Sequence, residues 1–221
     1  IQSCHAVILK QLFSEANIPC PWLDAYLNEP NAKEVYAEKL GVTSGMWKDC
    51  LYAIFMGAPL MNTAVNPPRT SVQERLYDCA KERDNNYEDL YGRFFTLLKP
   101  FVSELTQLLD YLENDRTERP HYPGYKFKSF IKNQVGCTLC VDDLTDMRKQ
   151  KRRSRLLAFI VQGYETSFIH HLTTIAKEYD YLPIANEHDG LVTIGEIPQE
   201  AIERARELSG FNNAVLIEKP F

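Results

Sequence analysis

No stretch of this sequence is both apolar and long enough to cross a bilayer, and no basic leader with an apolar core opens it. Neither a membrane span nor a secretory signal is therefore expected. No internal repeat and no low-complexity tract is present, which excludes a solenoid or a linker-like chain. Positive charge is not in excess. Lys and Arg number 25 against 30 Asp and Glu, a formal net charge of −5. That argues against a nucleic-acid binder acting by bulk electrostatics, although a whole-chain sum is silent on local patches. Metal-ligand cysteine pairs are also missing. The six cysteines are scattered, and the one close pair, Cys137-x-x-Cys140, has no second pair and no nearby His. Two ligands three apart also fit poorly on a strand of period two, so zinc and redox roles are disfavoured. A reduced, cytoplasmic setting is the simpler expectation.

What is present suffices for a real core. The chain has 221 residues, 44% hydrophobic and 25% charged, enough for one large domain or two small ones. It starts at Ile1 with an apolar run already in progress, and so reads as part of a longer polypeptide. The periodicity predicts a helix from about Ser3 to Phe13, loops around Pro21 and Asn28–Asn31, and a second helix from Ser44 towards Gly57. Thr43 or Ser44 can cap that helix, and Gly57 can end it with Pro59 just beyond. Helices are predicted over 71–83, 87–98 and 100–113, with Pro100 in the first turn of the last. A polar loop is predicted over 116–124, a further helix over 125–133, a short strand over 136–141, a helix over 199–209 and a closing strand over 214–218. The sum is α+β: a small antiparallel sheet and a large helical part.

Three stretches carry possible chemistry. In Leu182-Pro-Ile-Ala-Asn-Glu-His-Asp-Gly-Leu-Val-Thr-Ile194 two β-prone runs flank Asp189-Gly190, a strong hairpin signal. A carboxylate on such a tight turn is rigidly aimed and suits a divalent cation; most such turns are only turns. In the helix after Thr43, Lys48, Tyr52 and Met56 lie four apart on one face, opposite Trp47, Leu51, Ile54 and Phe55. In Arg148-Lys-Gln-Lys-Arg-Arg-Ser-Arg155 six of eight residues are basic, a solvated face or a phosphate-binding one. The run leads into a long helix containing Gln162 and Gly163. Glycine there costs about 1 kcal/mol relative to alanine, so something is expected to approach the backbone closely. Gln162 offers both a donor and an acceptor, as reading a minor-groove base edge requires.

Taken in order, these motifs resemble the fingers and palm of family A DNA polymerases and of their relatives, the single-subunit phage RNA polymerases, over nearly the whole chain. His188-Asp189 looks like the third palm motif, whose Asp binds catalytic metal. The Gln162-Gly163 helix is similar to the one whose Gln contacts the primer–template minor groove. Ser44 to Gly57 resembles the fingers helix that closes on the nucleotide, with Lys48 matching its triphosphate-binding lysine and Tyr52 its aromatic. Ile1 to Leu9 resembles the residues just after the first palm carboxylate. Departures are present too. Ser44 stands where the family has arginine, Met56 where it has a tyrosine near the template base, and Gly190 where many DNA enzymes have glutamate. The first palm Asp would fall immediately before Ile1.

The resemblance implies two-metal phosphoryl transfer with two Mg²⁺ ions, and Asp189 as a metal ligand. It implies His188, Asp189 and Lys48 at the catalytic centre, His5, Lys48, Tyr52 and Met56 around the incoming dNTP, and Gln162, Gly163, Arg152, Arg153 and Arg155 on primer–template DNA. Residues 1–30 would begin the palm, 31–143 form a fingers-like helical region, and 144–221 complete the palm with its hairpin. The upstream remainder of the same polypeptide is an implied partner, and no membrane is. His5 occupies the position of a glutamate that crowds the 2′ carbon of the sugar in the DNA enzymes, and of a glycine in the phage RNA enzymes. As a large planar ring it is expected to exclude a 2′-hydroxyl, although imidazole could also hydrogen-bond one. Two rival expectations stand beside a DNA polymerase: the RNA-synthesising branch, and a non-catalytic helical nucleic-acid-binding module in which His188-Asp189 is only a turn.

Overall fold

The computed structural model describes residues 4–114, 117–121, 126–187 and 190–218. The fold is α+β. Among the described residues the helices are α1 (Cys4–Glu15), α2 (Pro21–Asn28), α3 (Ala32–Leu40), α4 (Ser44–Phe55), α5 (Ser71–Glu82), α6 (Tyr87–Asn114), α7 (Lys149–Ile175) and α8 (Gln199–Ser209). The strands are β1 (Thr117–His121), β2 (Lys126–Lys132), β3 (Thr138–Cys140), β4 (Leu182–Glu187) and β5 (Gly190–Ile194). They form an antiparallel sheet in the order β1-β2-β3 and an antiparallel pair β4-β5. The chain divides into two compact units. One holds residues 13–114 and 148–157, the other residues 1–12, 115–147 and 158–221.

The first unit is helical around an aromatic core. Trp47, Phe55, Phe94 and Phe101 have no solvent exposure. Trp22 stacks on Tyr26 with centroids 5.5 Å apart, and Tyr36 stacks on Trp47 at 5.3 Å. Pro21 does not lie in a loop. It opens α2, where its missing N–H costs nothing. The Trp22 amide in that first turn donates to Glu104 Oε1 at 3.1 Å, an anionic cap satisfying a helix end. Pro100 does not start a new helix either. It sits inside the single helix α6, and the neighbouring Leu97 carbonyl accepts a hydrogen bond from Trp22 Nε1 at 2.9 Å. Packing against α2 carries the helix through a residue that would otherwise break it.

Glu104 is 8% exposed. Burial pushes its carboxyl above the ordinary carboxylate range, against the pull of the Trp22 and Leu23 amides. With the folded value above the unfolded one, its contribution is fully present below the unfolded pKa of about 4.3 and is lost as pH rises through the folded value. Glu104→Gln is therefore expected to gain stability relative to the parent between pH 4 and pH 7. Urea midpoints at the two pH values check this; a relative loss towards pH 7 would contradict it.

The second unit holds both sheets. Residues 125–133 do not form the expected helix, nor 116–124 a loop throughout: β2 runs from Lys126 to Lys132 and pairs with β1 and β3. Phe127, Phe130 and Ile131 keep the three-and-four spacing of a helix face, but with partners on both sides the ladder prevails. Residues 214–218 do not form a strand; they have no regular structure. Their β-prone side chains have no ladder neighbour, and without one a strand does not persist. Phe211 is fully buried against Tyr164 and Phe168, with both ring centroids 5.9 Å away. Gln11 Nε2 of α1 donates to the Gly210 carbonyl at the end of α8, where the backbone takes a φ of +68°.

Candidate functional site

The two strands flanking residues 188 and 189 pair antiparallel. Glu187 pairs with Gly190 and Leu182 with Ile194, so two residues, His188 and Asp189, connect the strands. Those two lie outside the described residues. Among the described residues no group of three His, Cys, Asp or Glu side chains is arranged to hold a metal. Cys137 and Cys140 are free thiols, the first of them exposed.

Helix α4 has the expected ends for local reasons. The Thr43 hydroxyl accepts from the Met46 amide at 3.1 Å, an N-cap. Gly57, at a φ of +79°, donates to Ile54 O at 2.8 Å, and Ala58 N donates to Ala53 O at 2.8 Å. This is a Schellman ending, and only glycine takes that backbone without strain. The buried side carries Trp47, Cys50, Leu51, Ile54 and Phe55. The other carries Lys48, exposed, with its ammonium 5.3 Å from the Tyr52 ring centroid, and then half-buried Met56. A cation on an aromatic face one turn apart gives this side of α4 the means to meet an anionic group and a flat ring together.

The same unit contains the basic run, which is not a uniform solvated face. Arg153 is 6% exposed. Its Nε and Nη2 reach Glu113 Oε2 at 3.0 and 2.9 Å, and Nη2 also binds Asp110 Oδ1. Arg152 binds Glu113 Oε1 at 3.1 Å. Burial pushes the Glu113 carboxyl up, but hydrogen bonds from Arg153 and Arg152 and then their charges bring it below the ordinary range. The Gly57 carbonyl accepts from Gln150 Nε2 and, at 2.8 Å, from Ser154 Oγ. A Cβ on Gly57 would stand 3.0 Å from that hydroxyl oxygen. The run thus anchors the end of α4 and the end of α6, while Lys149, Lys151 and Arg155 are exposed.

His5, Gln162 and Gly163 belong to the second unit. Gln162 is exposed on α7. Gly163 does admit a close approach, and the group approaching is Asn133, after β2. A Cβ on Gly163 would lie 2.6 Å from Asn133 Cβ and 2.9 Å from its Cγ. Asn133 is held there by its Oδ1, which accepts from Cys137 N at 3.1 Å, and by its backbone N–H, which donates to Cys137 O at 3.0 Å. Gly163→Ala is expected to destabilise the protein by about 1–2 kcal/mol, overpacking outweighing the gain in helix propensity. With Asn133→Gly in the same chain the cost should vanish. Urea unfolding of the single and double variants decides; a Gly163→Ala protein more stable than the parent would remove Asn133 as the reason for the glycine.

His5 stands in the first turn of α1, and its Nε2 lies 3.3 Å from Glu165 Oε1 of α7. Glu165, Asn133 and Glu113 are the partners the sequence reading missed. Each lies far along the chain from the residue it serves, and no local pattern marks it. No protein-family model matches this chain, and no curated protein matches it.

Proposed function

We propose that this chain is the catalytic part of a template-directed DNA polymerase, a nucleotidyltransferase that extends a primer with dNTPs. The observation that carries the reading is the β4–β5 register, which leaves only His188 and Asp189 between two strands. The face of α4 with Lys48 and Tyr52 supports it. In this reading β4 and β5 belong to the palm and the helices of residues 31–114 to the fingers.

The primer 3′-hydroxyl oxygen forms a bond to the α-phosphorus, the bond to the bridging oxygen breaks, pyrophosphate leaves and the hydroxyl proton passes to solvent. Two Mg²⁺ ions, when bound, would supply charge neutralisation in this reaction. Asp189 is the residue here assigned to hold them. Lys48 neutralises charge developing on the leaving pyrophosphate, Tyr52 and Met56 pack against the nucleotide, and His188 sits beside Asp189 at the catalytic centre. Gln162 reads the primer–template minor groove beside Gly163. Arg155 meets the nucleic-acid backbone, whereas Arg152 and Arg153 act first as internal ties.

Primer extension by the full-length polypeptide, with dNTPs and rNTPs supplied separately, tests this. Lys48→Ala is expected to lower kcat/KM for the nucleotide by about 10²–10³-fold with primer–template affinity little changed. Equal losses in both would remove Lys48 from the triphosphate. Extension with rNTPs alone would move the protein to the RNA-synthesising branch. Duplex binding without extension would leave a nucleic-acid-binding module.

A further inference from the structure

We propose that the helical unit carries a binding site for a small anionic aromatic molecule, in a cavity between α2, α3 and α6 that contains none of the residues assigned above. The cavity has a volume of about 770 Å³ and opens to solvent, a size within the range of ligand sites. Trp22, Tyr36 and Leu97 contribute apolar lining, and Lys39, Arg93 and Asp89 contribute charge. All of them belong to the same compact unit.

The observation that carries the proposal is Gly92, which also lines the cavity. It stands within α6, where glycine costs helix stability relative to alanine. Gly57 and Gly163 are kept small by a neighbour, but Gly92 is not. A Cβ there would meet nothing within 4 Å, and the backbone is not in the left-handed region. Neither packing nor backbone geometry within the unit requires this glycine. On a cavity wall it lets a ligand lie against the main chain of the helix.

The rest of the lining fixes the chemistry of that ligand. Trp22 is held before any ligand arrives. Its Nε1 donates to Leu97 O at 2.9 Å, and its ring centroid lies 5.7 Å from that of Tyr36 and 5.0 Å from that of Phe101. With the indole N–H engaged, this wall selects by ring contact. Aromatic pairs gain affinity beyond the area they bury, so a flat ring is preferred to an alkyl group of the same size. The charged lining is net positive, two cations against one acid. The Lys39 ammonium stands 4.5 Å from the Tyr36 ring centroid, so cation and ring are presented together. Arg93 Nε meets Asp89 Oδ2 at 3.1 Å, with the side chains 46% and 66% exposed. So exposed a pair is weak enough to share its guanidinium with an anionic ligand. A free aromatic acid and the base and phosphate of a nucleotide share this chemistry.

Calorimetric titration of the full-length polypeptide with 2-naphthoate tests the proposal. 2-Naphthylmethylammonium controls for charge and cyclohexanecarboxylate for the ring. 2-Naphthoate is expected to bind saturably, and about tenfold more tightly than either control. Lys39→Gln and Arg93→Gln should each weaken it by up to about fivefold, the scale of an exposed charge contact. Gly92→Leu should fill the cavity and weaken 2-naphthoate by about tenfold or more. Its melting midpoint should be at or above the parent's, because the helix gains propensity where the added Cβ meets nothing. The proposal is overturned if the parent shows no saturable binding, if either control binds as tightly, or if Gly92→Leu retains the parent's affinity. Unchanged affinity in the double variant Lys39→Gln/Arg93→Gln overturns it as well, whatever the stability of Gly92→Leu. Competition by dAMP identifies the source of the ligand. Displacement of 2-naphthoate assigns the site to a nucleotide, and failure to displace it assigns the site to an aromatic acid; both outcomes support the site. These titrations involve no primer and no catalysis, so their result is separate from that of the extension assays.

Discussion

Asp189→Ala is expected to lower primer extension by the full-length polypeptide by about 10³-fold or more, a loss of several kcal/mol of transition-state stabilisation. Primer–template binding should largely survive. The argument runs from the strands upward. Pairing of Glu187 with Gly190 and of Asn186 with Leu191 continues to the last described residues on either side of the connection. In phosphoryl transfer the protein contributes positioning and charge, with little covalent chemistry of its own. Removing a carboxylate that holds a cation removes charge stabilisation at the reacting phosphorus. Contacts to the duplex backbone come from other residues, so the two effects separate. Single-turnover extension and equilibrium binding measured on the same variant make the comparison. Near-normal extension by Asp189→Ala would end the assignment, and loss of both activities together would point to damage to the hairpin. A conservative control, Asp189→Asn, keeps the shape and removes the charge; it should be almost as inactive.

Glu113→Ala is the second large effect, here on stability. A loss of about 3 kcal/mol is expected, the lower end of what breaking a buried ion pair costs when one charge is left behind. Arg153 is buried and makes two of its hydrogen bonds to Glu113 Oε2. Its remaining acid partner, Asp110, is itself half-exposed, at 54%, which keeps the loss from the upper end. In a chain of this size the melting midpoint should fall by about 6–12 °C. Replacing both partners by apolar residues, as in Glu113→Leu/Arg153→Met, should recover much of the loss, because no uncompensated charge remains. Since the Glu113 carboxyl lies below its ordinary range when folded, its contribution is present above an unfolded pKa of about 4.3 and fades as pH falls through the folded value. The parent should therefore lose more stability than Glu113→Ala in moderately acidic urea titrations. A Glu113→Ala protein as stable as the parent at pH 7 would mean that Arg153 finds water or another acid.

What the sequence by itself determined is whatever a few neighbouring residues decide. Helix α4 begins at a Thr43 cap and ends at Gly57 as read, because both ends are made by bonds reaching no more than five residues. The β4–β5 pair follows from two β-prone runs around Asp-Gly, and α8 ends at Gly210 as read, although Ala201 takes the buried place expected of Leu208, which is exposed. Gly163 announced a close approach, since glycine inside a helix is otherwise a cost. Only the tertiary structure decided the partners. Asn133, thirty residues earlier, is what crowds Gly163, and Glu113, forty residues earlier, turns Arg153 from a surface cation into a buried tie. The same holds for secondary structure that depends on distant neighbours. Residues 126–132 became a strand because β1 and β3 supply ladders, residues 214–218 did not because no strand among the described residues pairs with them, and α6 runs through Pro100 because α2 packs beside it. Helix caps and tight turns are settled by hydrogen bonds inside one short segment, so composition predicts them. Ladder membership, the burial of a charge and the orientation of His5 depend on which groups the folded chain brings to within about 3 Å, and spacing along the chain does not encode that.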